Sequence, residues 1–228
     1  ALTLRSARAA AMPANHPQEE VTYASYLDLD RILSAQHPRS DAQDEMLFII
    51  VHQASELWLK LCLHELEPAR EAIAQDRLRP AFKMLARVAR AQEQLIQSWN
   101  VLSTMTPHDY SLVRPHLGTS SGFQSAQYRL MEFILGGRKP NMATLHEAVP
   151  DVAEKLRAEL ARPSLYEETV RLLAKRGFDI PETVLNRDRD QPWEKSDAVE
   201  AASVHIYQNP HDHWDLYELA ATPVDLDY

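Results

Sequence analysis

The chain has 228 residues, of which 45% are hydrophobic and 25% charged, so it is globular and long enough to bury a sizeable core. Its net charge of −9, with acidic and basic residues interspersed, argues against nucleic acid or an anionic membrane as the main partner. A single cysteine, Cys62, excludes an internal disulfide and any multi-cysteine metal site, and it fits a reducing cytoplasm. No secretory signal or apolar run of membrane-spanning length is expected, and only five glycines disfavour a β-sandwich or a dinucleotide-binding sheet.

The N-terminal stretch, residues 1–20, is rich in Ala, Arg and Pro and lacks a sustained hydrophobic period. We interpret it as a mobile arm, followed by a single helical domain over residues 21–228. From Tyr23, apolar residues at helical intervals predict one short amphipathic helix that ends near His37.

Two long helices are predicted at the centre of the domain. Ser40–Gln43 matches a capping box for the longest, which reaches about Ala74 and is expected to kink or break at Pro68. The second runs from about Pro80 to Ser103. The side chains expected to face inward from these two helices are Leu47, Ile50, Val51, Ala54, Leu57, Trp58, Leu61, Leu66, Phe82, Leu85, Val88, Leu95, Trp99 and Leu102.

Two helix starts follow, each with a capping box: Thr106–Asp109 and Ser121–Gln124. The turn between them offers backbone N–H groups and hydroxyls, and Tyr110 and Arg114 are predicted to share a helix face. This combination suggests capture of a small anion, whereas the alternative is a capped helix–turn–helix with a surface arginine.

The rest of the chain also has a helical pattern. Gly136–Pro140 is predicted to end a helix, Thr144 and Ser164 to begin two more, and Phe178–Lys195 to be a linker. A helix over residues 197–208 and a last one capped by Asn209–Pro210 complete the prediction. Because alternating strand patterns are essentially absent, we predict an all-α helical bundle with two long central helices and several short capped ones.

Few residues outside these helix starts carry an obvious chemistry. His52 lies amid apolar residues, where it either faces a ligand cavity or hydrogen-bonds Glu56; Glu56 also has an ordinary helical partner in Lys60. His211 and His213 have a metal-like spacing, but residues two apart on a helix point in different directions and cannot chelate one ion. No metal ligand is therefore predicted, and Cys62 is expected to be a buried apolar residue.

Several segments together resemble the tryptophan 2,3-dioxygenase family. The resemblance covers nearly everything after residue 20, and its most specific part is SSGFQSAQYR within Gly118–Glu132. The other matching segments are Thr22–Leu27, Asp44–Lys60, Trp99–Arg114 and, more weakly, Pro163–Arg176 and His213–Asp227.

This resemblance implies an all-helical enzyme with haem b (iron) that forms a homotetramer in the cytoplasm. The implied reaction inserts both atoms of O2 across the indole C2–C3 bond of L-tryptophan to give N-formyl-L-kynurenine. By motif, Phe48 and His52 would line the distal side of the haem, with His52 near the indole N–H. Tyr110 and Arg114 would hold the substrate carboxylate, and Ser121 would lie near the haem edge.

The family also implies contributions from outside this part of one subunit. Tyr23, Tyr26 and Leu27 would come from the neighbouring chain, and the proximal haem histidine is expected beyond Tyr228. The Thr222–Pro223 pair departs from the family, whose helix continues through this region. The alternatives are a truncated chain, a haem-free paralogue that binds an aromatic amino acid or only oligomerises, and a related haem-dependent aromatic oxygenase.

Overall fold

The computed structural model describes residues 21–189 and 194–221, and these residues are helical without any strand. The predicted all-α class is therefore confirmed. The proposed N-terminal arm, residues 1–20, lies outside the described residues, as does the Thr222–Pro223 pair.

The chain divides into two compact units, one ending at His37 and the other beginning at Pro38. The first contains α1 (Tyr23–Leu27) and α2 (Leu29–Leu33) in place of the one helix predicted. The break falls at Asp28, whose φ of 51° is left-handed, a conformation that aspartate tolerates better than most residues. A reciprocal capping box between Thr22 and Ser25 starts α1.

Two long helices dominate the second unit, as predicted: α3 (Asp44–Ala74) and α4 (Leu78–Leu102). A tight turn joins them, with Asp76 at a φ of 58°. Their facing sides form the centre of the core, because apolar side chains recur on both at helical intervals. The fully or nearly fully buried members are Leu59, Cys62, Leu66, Ala69, Ile73, Leu78, Ala81, Leu85, Val88 and Leu95.

The start of α3 and the effect of Pro68 differ from the prediction, whereas the predicted end at Ala74 is confirmed. Ser40 does not cap the helix, whose N-cap residue is Gln43. Instead, the Glu45 carboxylate accepts hydrogen bonds from the Ser40 hydroxyl at 2.6 Å and from the Arg39 and Ser40 N–H groups at 2.9 and 2.7 Å. These bonds, the Ser40 hydroxyl first, hold the pKa of Glu45 below its usual range. Pro68 does not end α3: it lies on the exposed side, where water can satisfy the carbonyl left without an N–H donor.

The predicted apolar stripe is only partly buried. Ile50, Leu57 and Leu61 of α3 are exposed, and Trp99 of α4 is 55% exposed. The expectation that no segment is long and apolar enough to cross a membrane is also wrong for α3, which meets that criterion by length and composition. Its inner side nevertheless packs against α4, α6 and α8, as in the core helix of a globular protein.

Shorter helices pack around this pair. In chain order they are α5 (Pro107–Val113), the 3-10 helices Arg114–His116 and Gly122–Gln124, α6 (Ala126–Leu135), the 3-10 helix Pro140–His146, α7 (Pro150–Ala161), α8 (Leu165–Lys175), α9 (Glu182–Leu185), α10 (Asp197–Gln208) and α11 (Trp214–Ala221).

Side-chain caps begin α5, the 3-10 helix Gly122–Gln124, α6 and α8, and two of the predicted helix starts are wrong. The Ser164 box is present, and α6 ends at Gly136, whose φ is 125°. Thr144 starts no helix, because its hydroxyl donates to the Asn141 carbonyl within a 3-10 segment, and α7 begins only at Pro150. Asn209 likewise does not cap the last helix, which begins at Trp214.

The predicted linker, Phe178–Lys195, is instead folded where it is described. Ile180 is buried, and α9 lies within this segment. Arg189 donates to the Glu167 carboxylate at 3.3 Å and to the Ala161 carbonyl at 3.3 Å. The charged residues before the undescribed positions 190–193 therefore tie this segment to α7 and α8.

Candidate functional site

Four aromatic side chains from three helices meet at one edge of the bundle. The ring centroids of Phe48 and His52 are 4.1 Å apart, one turn apart on α3. Phe48 lies 6.4 Å from the Tyr110 ring of α5, and His52 lies 6.4 Å from the Trp99 ring of α4 in an edge-on arrangement. Because Trp99 and Tyr110 are largely exposed, these residues form an aromatic wall that is open on one side. We call Phe48, His52, Trp99 and Tyr110 the aromatic wall.

The orientation of His52 in this wall fixes the role of its two ring nitrogens. Its Nδ1 lies 2.7 Å from the Phe48 carbonyl oxygen, which can only accept a hydrogen bond. Nδ1 must therefore carry the hydrogen. In the neutral ring, Nε2 then holds a lone pair and can accept a hydrogen bond from a ligand N–H.

A capped helix positions Tyr110. The Thr106 hydroxyl accepts the Asp109 N–H at 3.2 Å while the Asp109 carboxylate accepts the Thr106 N–H at 3.0 Å, so the predicted capping box is confirmed. The Thr106 hydroxyl also donates to the Asp109 carboxylate at 2.5 Å, and this bond, followed by the one from the Thr106 N–H, holds the pKa of Asp109 below its usual range. A charged carboxylate here also suits the positive end of the helix dipole.

Arg114 lies just past the end of α5, in the 3-10 helix, rather than on the α-helical face predicted for it. It is exposed, and its Nη1 donates to the Gly118 carbonyl at 2.8 Å. Gly118 has a φ of 60°, a left-handed conformation that glycine adopts without strain. One of the five N–H donors of the Arg114 guanidinium thus fixes the turn. The other N–H groups remain available to bind a carboxylate.

Ser121 caps the turn that follows. Its hydroxyl accepts the Phe123 N–H at 3.3 Å, and its own N–H donates to the Gln124 side chain at 3.2 Å. The predicted capping box is therefore present, but it opens the 3-10 helix Gly122–Gln124, and Ser125 caps α6 separately. Phe123, within this 3-10 helix, is 68% exposed.

The predicted site residues thus fall into groups. Phe48, His52 and Tyr110 meet in the aromatic wall, whereas Arg114 and Ser121 lie on the turn that follows α5. The N-terminal residues Tyr23, Tyr26 and Leu27 belong to the other compact unit and are exposed. A role for them in a neighbouring subunit stays a prediction.

Sequence reasoning missed the role of two residues. Trp99 was expected to face the core because it continues the apolar stripe of α4, yet it lies beside His52. Gln127 of α6 donates to both the carbonyl and the carboxylate of Glu56, so Glu56 pairs across the bundle and not with His52. The only sequence signal for Gln127 was its position within the specific SSGFQSAQYR string.

Other candidate residues lie away from the wall. Cys62 is fully buried, as predicted, and His64 is exposed. His213 packs with His205 and Phe178 beside an open cavity of about 570 Å³. Within residues 21–189 and 194–221, no three His, Cys, Asp or Glu side chains cluster as metal ligands would.

Comparison with known proteins identifies related chains. The family model described as "Tryptophan 2,3-dioxygenase" matches residues 9–160. A tryptophan 2,3-dioxygenase of Erythrobacter litoralis is 70% identical over 92% of this chain and 80% of its own length. Enzymes of the same name from Burkholderia multivorans and Burkholderia cenocepacia are each 55% identical over 92% of this chain and 67% of their own length.

Proposed function

Because the chain belongs to the tryptophan 2,3-dioxygenase family, we propose that it inserts both atoms of O2 across the indole C2–C3 bond of L-tryptophan. The product is N-formyl-L-kynurenine, and no external reductant is needed because the substrate supplies all the electrons that reduce O2. The observation that carries the proposal is the aromatic wall, in which His52 keeps Nε2 available beside the Phe48 and Tyr110 rings.

In this proposal the indole ring lies against the aromatic wall. The indole N–H donates to the Nε2 atom of His52, whose other nitrogen is held by the Phe48 carbonyl. Phe48 packs against the imidazole and restricts its rotation. The role of His52 is then to orient the substrate, and no proton need leave the indole nitrogen before oxygen attacks.

The amino-acid end of the substrate is assigned to the turn after α5. Arg114 forms a bidentate ion pair with the substrate carboxylate, and the Tyr110 hydroxyl adds a hydrogen bond. The Gly118 carbonyl supports this role, because its bond to Nη1 holds the guanidinium at the turn. Ser121 is proposed to lie near the edge of the cofactor.

We assign haem b as the cofactor. The residues present fit one face of a porphyrin, because the aromatic wall offers the exposed Trp99 and Tyr110 rings beside Phe48 and His52, and none of the four is an acid, a lysine or an arginine. Bound haem supplies the activation of O2. Phe48 and His52 would line its distal side, and no histidine among the described residues is assigned to the iron.

The assembly is proposed to be a cytoplasmic homotetramer. Tyr23 and Tyr26 are 77% and 79% exposed, and they would complete the site of a neighbouring subunit together with Leu27. Large exposed aromatic side chains on a short capped helix suit insertion into a partner.

Loading the purified protein with haemin tests the proposal. We expect a Soret absorption band that shifts when L-tryptophan is added, and N-formyl-L-kynurenine in the presence of O2. If no Soret band forms, the haem-free binding module is correct. A Soret band without product from L-tryptophan, but with turnover of another aromatic substrate, would identify the related oxygenase.

A further inference from the structure

The Gln127 side chain hydrogen-bonds the N-terminal end of α6 to α3. Its Nε2 donates to the Glu56 carboxylate at 2.7 Å and to the Glu56 carbonyl oxygen at 2.9 Å, a contact between residues 71 positions apart. Both side chains are half-buried, so water competes only partly with these bonds. We call this contact the Gln127–Glu56 clamp.

The clamp lies between two parts of the proposed site. Glu56 is one helical turn after His52 on α3, and Gln127 is the second residue of α6. The turn that carries Gly118 and Ser121 precedes α6 and is separated from it only by the 3-10 helix Gly122–Gln124 and Ser125. A change at the clamp therefore moves this turn relative to His52.

The two halves of α6 are held by different interactions. Met131, Ile134 and Leu135 are buried in the main core, so hydrophobic contacts fix the C-terminal half. At the N-terminal end, Ala126 and Gln127 are half-buried and the preceding turn is mostly exposed. Tyr128 packs against the main core at this end, and the clamp adds the hydrogen bonds that join it to α3.

We infer that Gln127 is a positioning residue that fixes the Gly118–Ser121 turn relative to His52 for binding L-tryptophan. This inference rests on the proposed function for its substrate, but the geometry of the turn can be measured without substrate. Glutamine suits the role because its NH2 group donates to two acceptors at once. Glutamate cannot do so while ionised, and it would face the Glu56 carboxylate.

The test compares Gln127→Glu, Gln127→Met, and the exchanged pair Glu56→Gln with Gln127→Glu. In the exchanged pair the amide donor is at position 56 and the carboxylate acceptor at position 127. One side-chain hydrogen bond can therefore form again without a change in net charge, and this variant serves as the rescue. Gln208→Glu is the matched control, because Gln208 is exposed at the end of α10 and the charge change is the same. Gln127→Met removes the donor without adding charge, in case the glutamate variant fails to fold.

Hydrogen exchange of the full chain without haem gives the first readout. We expect amides of residues 118–126 to exchange about tenfold faster in both single variants, because a lost hydrogen bond of this kind changes an opening equilibrium by about that factor. Hydrogen exchange of amides in α4 and α10 should stay unchanged. The double variant, Glu56→Gln with Gln127→Glu, should restore part of the protection of residues 118–126. In Gln127→Glu the defect shrinks as pH falls toward the carboxylate pKa of about 4.3, because protonation restores a donor.

Kinetics of the haem-loaded protein give the second readout. KM for L-tryptophan is expected to rise about tenfold with a much smaller change in kcat, since binding geometry is altered. Unchanged exchange at residues 118–126, or faster exchange spread equally over all helices, would overturn the positioning role. If the unsubstituted protein shows no turnover of L-tryptophan, the proposed function fails while the exchange result still decides whether the clamp positions the turn.

Discussion

The Nδ1 atom of His52 lies 2.7 Å from the carbonyl oxygen of Phe48, which leaves Nε2 as the nitrogen able to accept a hydrogen bond. In the proposed reaction this atom orients the indole ring, whereas Arg114 neutralises a full charge. We therefore predict that His52→Ala lowers kcat/KM for L-tryptophan by about tenfold, the effect of one neutral hydrogen bond. Arg114→Ala should lower it by roughly 100-fold or more, because a charge-assisted bidentate pair is lost.

Steady-state assays of N-formyl-L-kynurenine formation measure both effects. His64→Ala and Arg79→Ala are suitable controls, since both side chains are exposed and lie outside the aromatic wall and the following turn. Equal and complete loss of activity in His52→Ala and Arg114→Ala would contradict this ranking and would favour His52 as an obligatory base.

A buried ion pair holds α3 to α7. Arg70 donates to the Glu159 carboxylate, and both side chains are more than nine-tenths buried. Glu159→Ala is predicted to lower the free energy of unfolding by about 3 kcal/mol, because it leaves a buried guanidinium with fewer partners. This value is at the low end of the range for breaking a buried ion pair, because Arg70 keeps its hydrogen bonds to Glu67 and to the Pro163 carbonyl.

Urea denaturation monitored by circular dichroism measures this difference. The control is Glu93→Ala, whose partner Arg90 is 79% exposed, so that this solvent-screened pair is expected to contribute little to stability. If Glu159→Ala and Glu93→Ala lower the free energy of unfolding equally, burial does not increase the contribution of the Arg70–Glu159 pair to stability.

The elements that could be predicted from sequence are those fixed by neighbouring residues. The capping boxes at Thr106, Ser121 and Ser164 are present because each joins residues only three positions apart. The long helices follow from the same kind of information, since one apolar stripe repeats over many turns. The structure brings Phe48, His52 and Tyr110 together, whereas the roles that the family resemblance implies for them stay predictions.

The errors arise where a partner distant in sequence decides the outcome. The sequence around Arg189 is polar and predicts a linker, because nothing near it in sequence indicates its partner Glu167 on α8. Trp99 continues an apolar stripe, but no rule of periodicity indicates that the stripe ends at an open surface. Glu56 has an ordinary helical partner in Lys60, and only the folded chain brings Gln127 to it.

Acid should weaken the tie between the α3–α4 turn and the end of α8. Two hydrogen bonds from Arg176 hold the pKa of Asp76 below its usual range. A lowered pKa in the folded state stabilises the fold above the unfolded-state pKa of about 3.9, and this stabilisation is lost as pH falls through the lower folded value. Asp76→Asn keeps a side chain that tolerates the φ of 58° but removes the charge.

The predicted result is a stability difference between the unsubstituted protein and Asp76→Asn that is largest near neutral pH. It should shrink steadily as the pH drops below about 3.9, because Asp76 is then losing its charge in the unsubstituted protein as well. Urea denaturation across this range measures it, with the exposed Asp212→Asn as control. A difference that is constant with pH would show that the Arg176 ion pair does not contribute.

Cys62 is predicted to be unreactive in the folded protein for two reasons, both of which follow from its burial. Burial raises the pKa of its thiol to about 11. At pH 8 this lowers the reactive thiolate fraction about 100-fold relative to an exposed cysteine. The side chain is also fully enclosed by the α3–α4 core, so a reagent reaches it only after local opening.

Alkylation by iodoacetamide, followed by mass spectrometry, tests this directly. We expect the native protein to be modified more than about 100-fold more slowly than the protein in concentrated urea. Haem-loaded protein treated with the reagent under native conditions should keep its turnover of L-tryptophan, since Cys62 lies outside the aromatic wall. Rapid native labelling would mean that α3 and α4 separate readily at their centre, which is incompatible with a core built on these two helices.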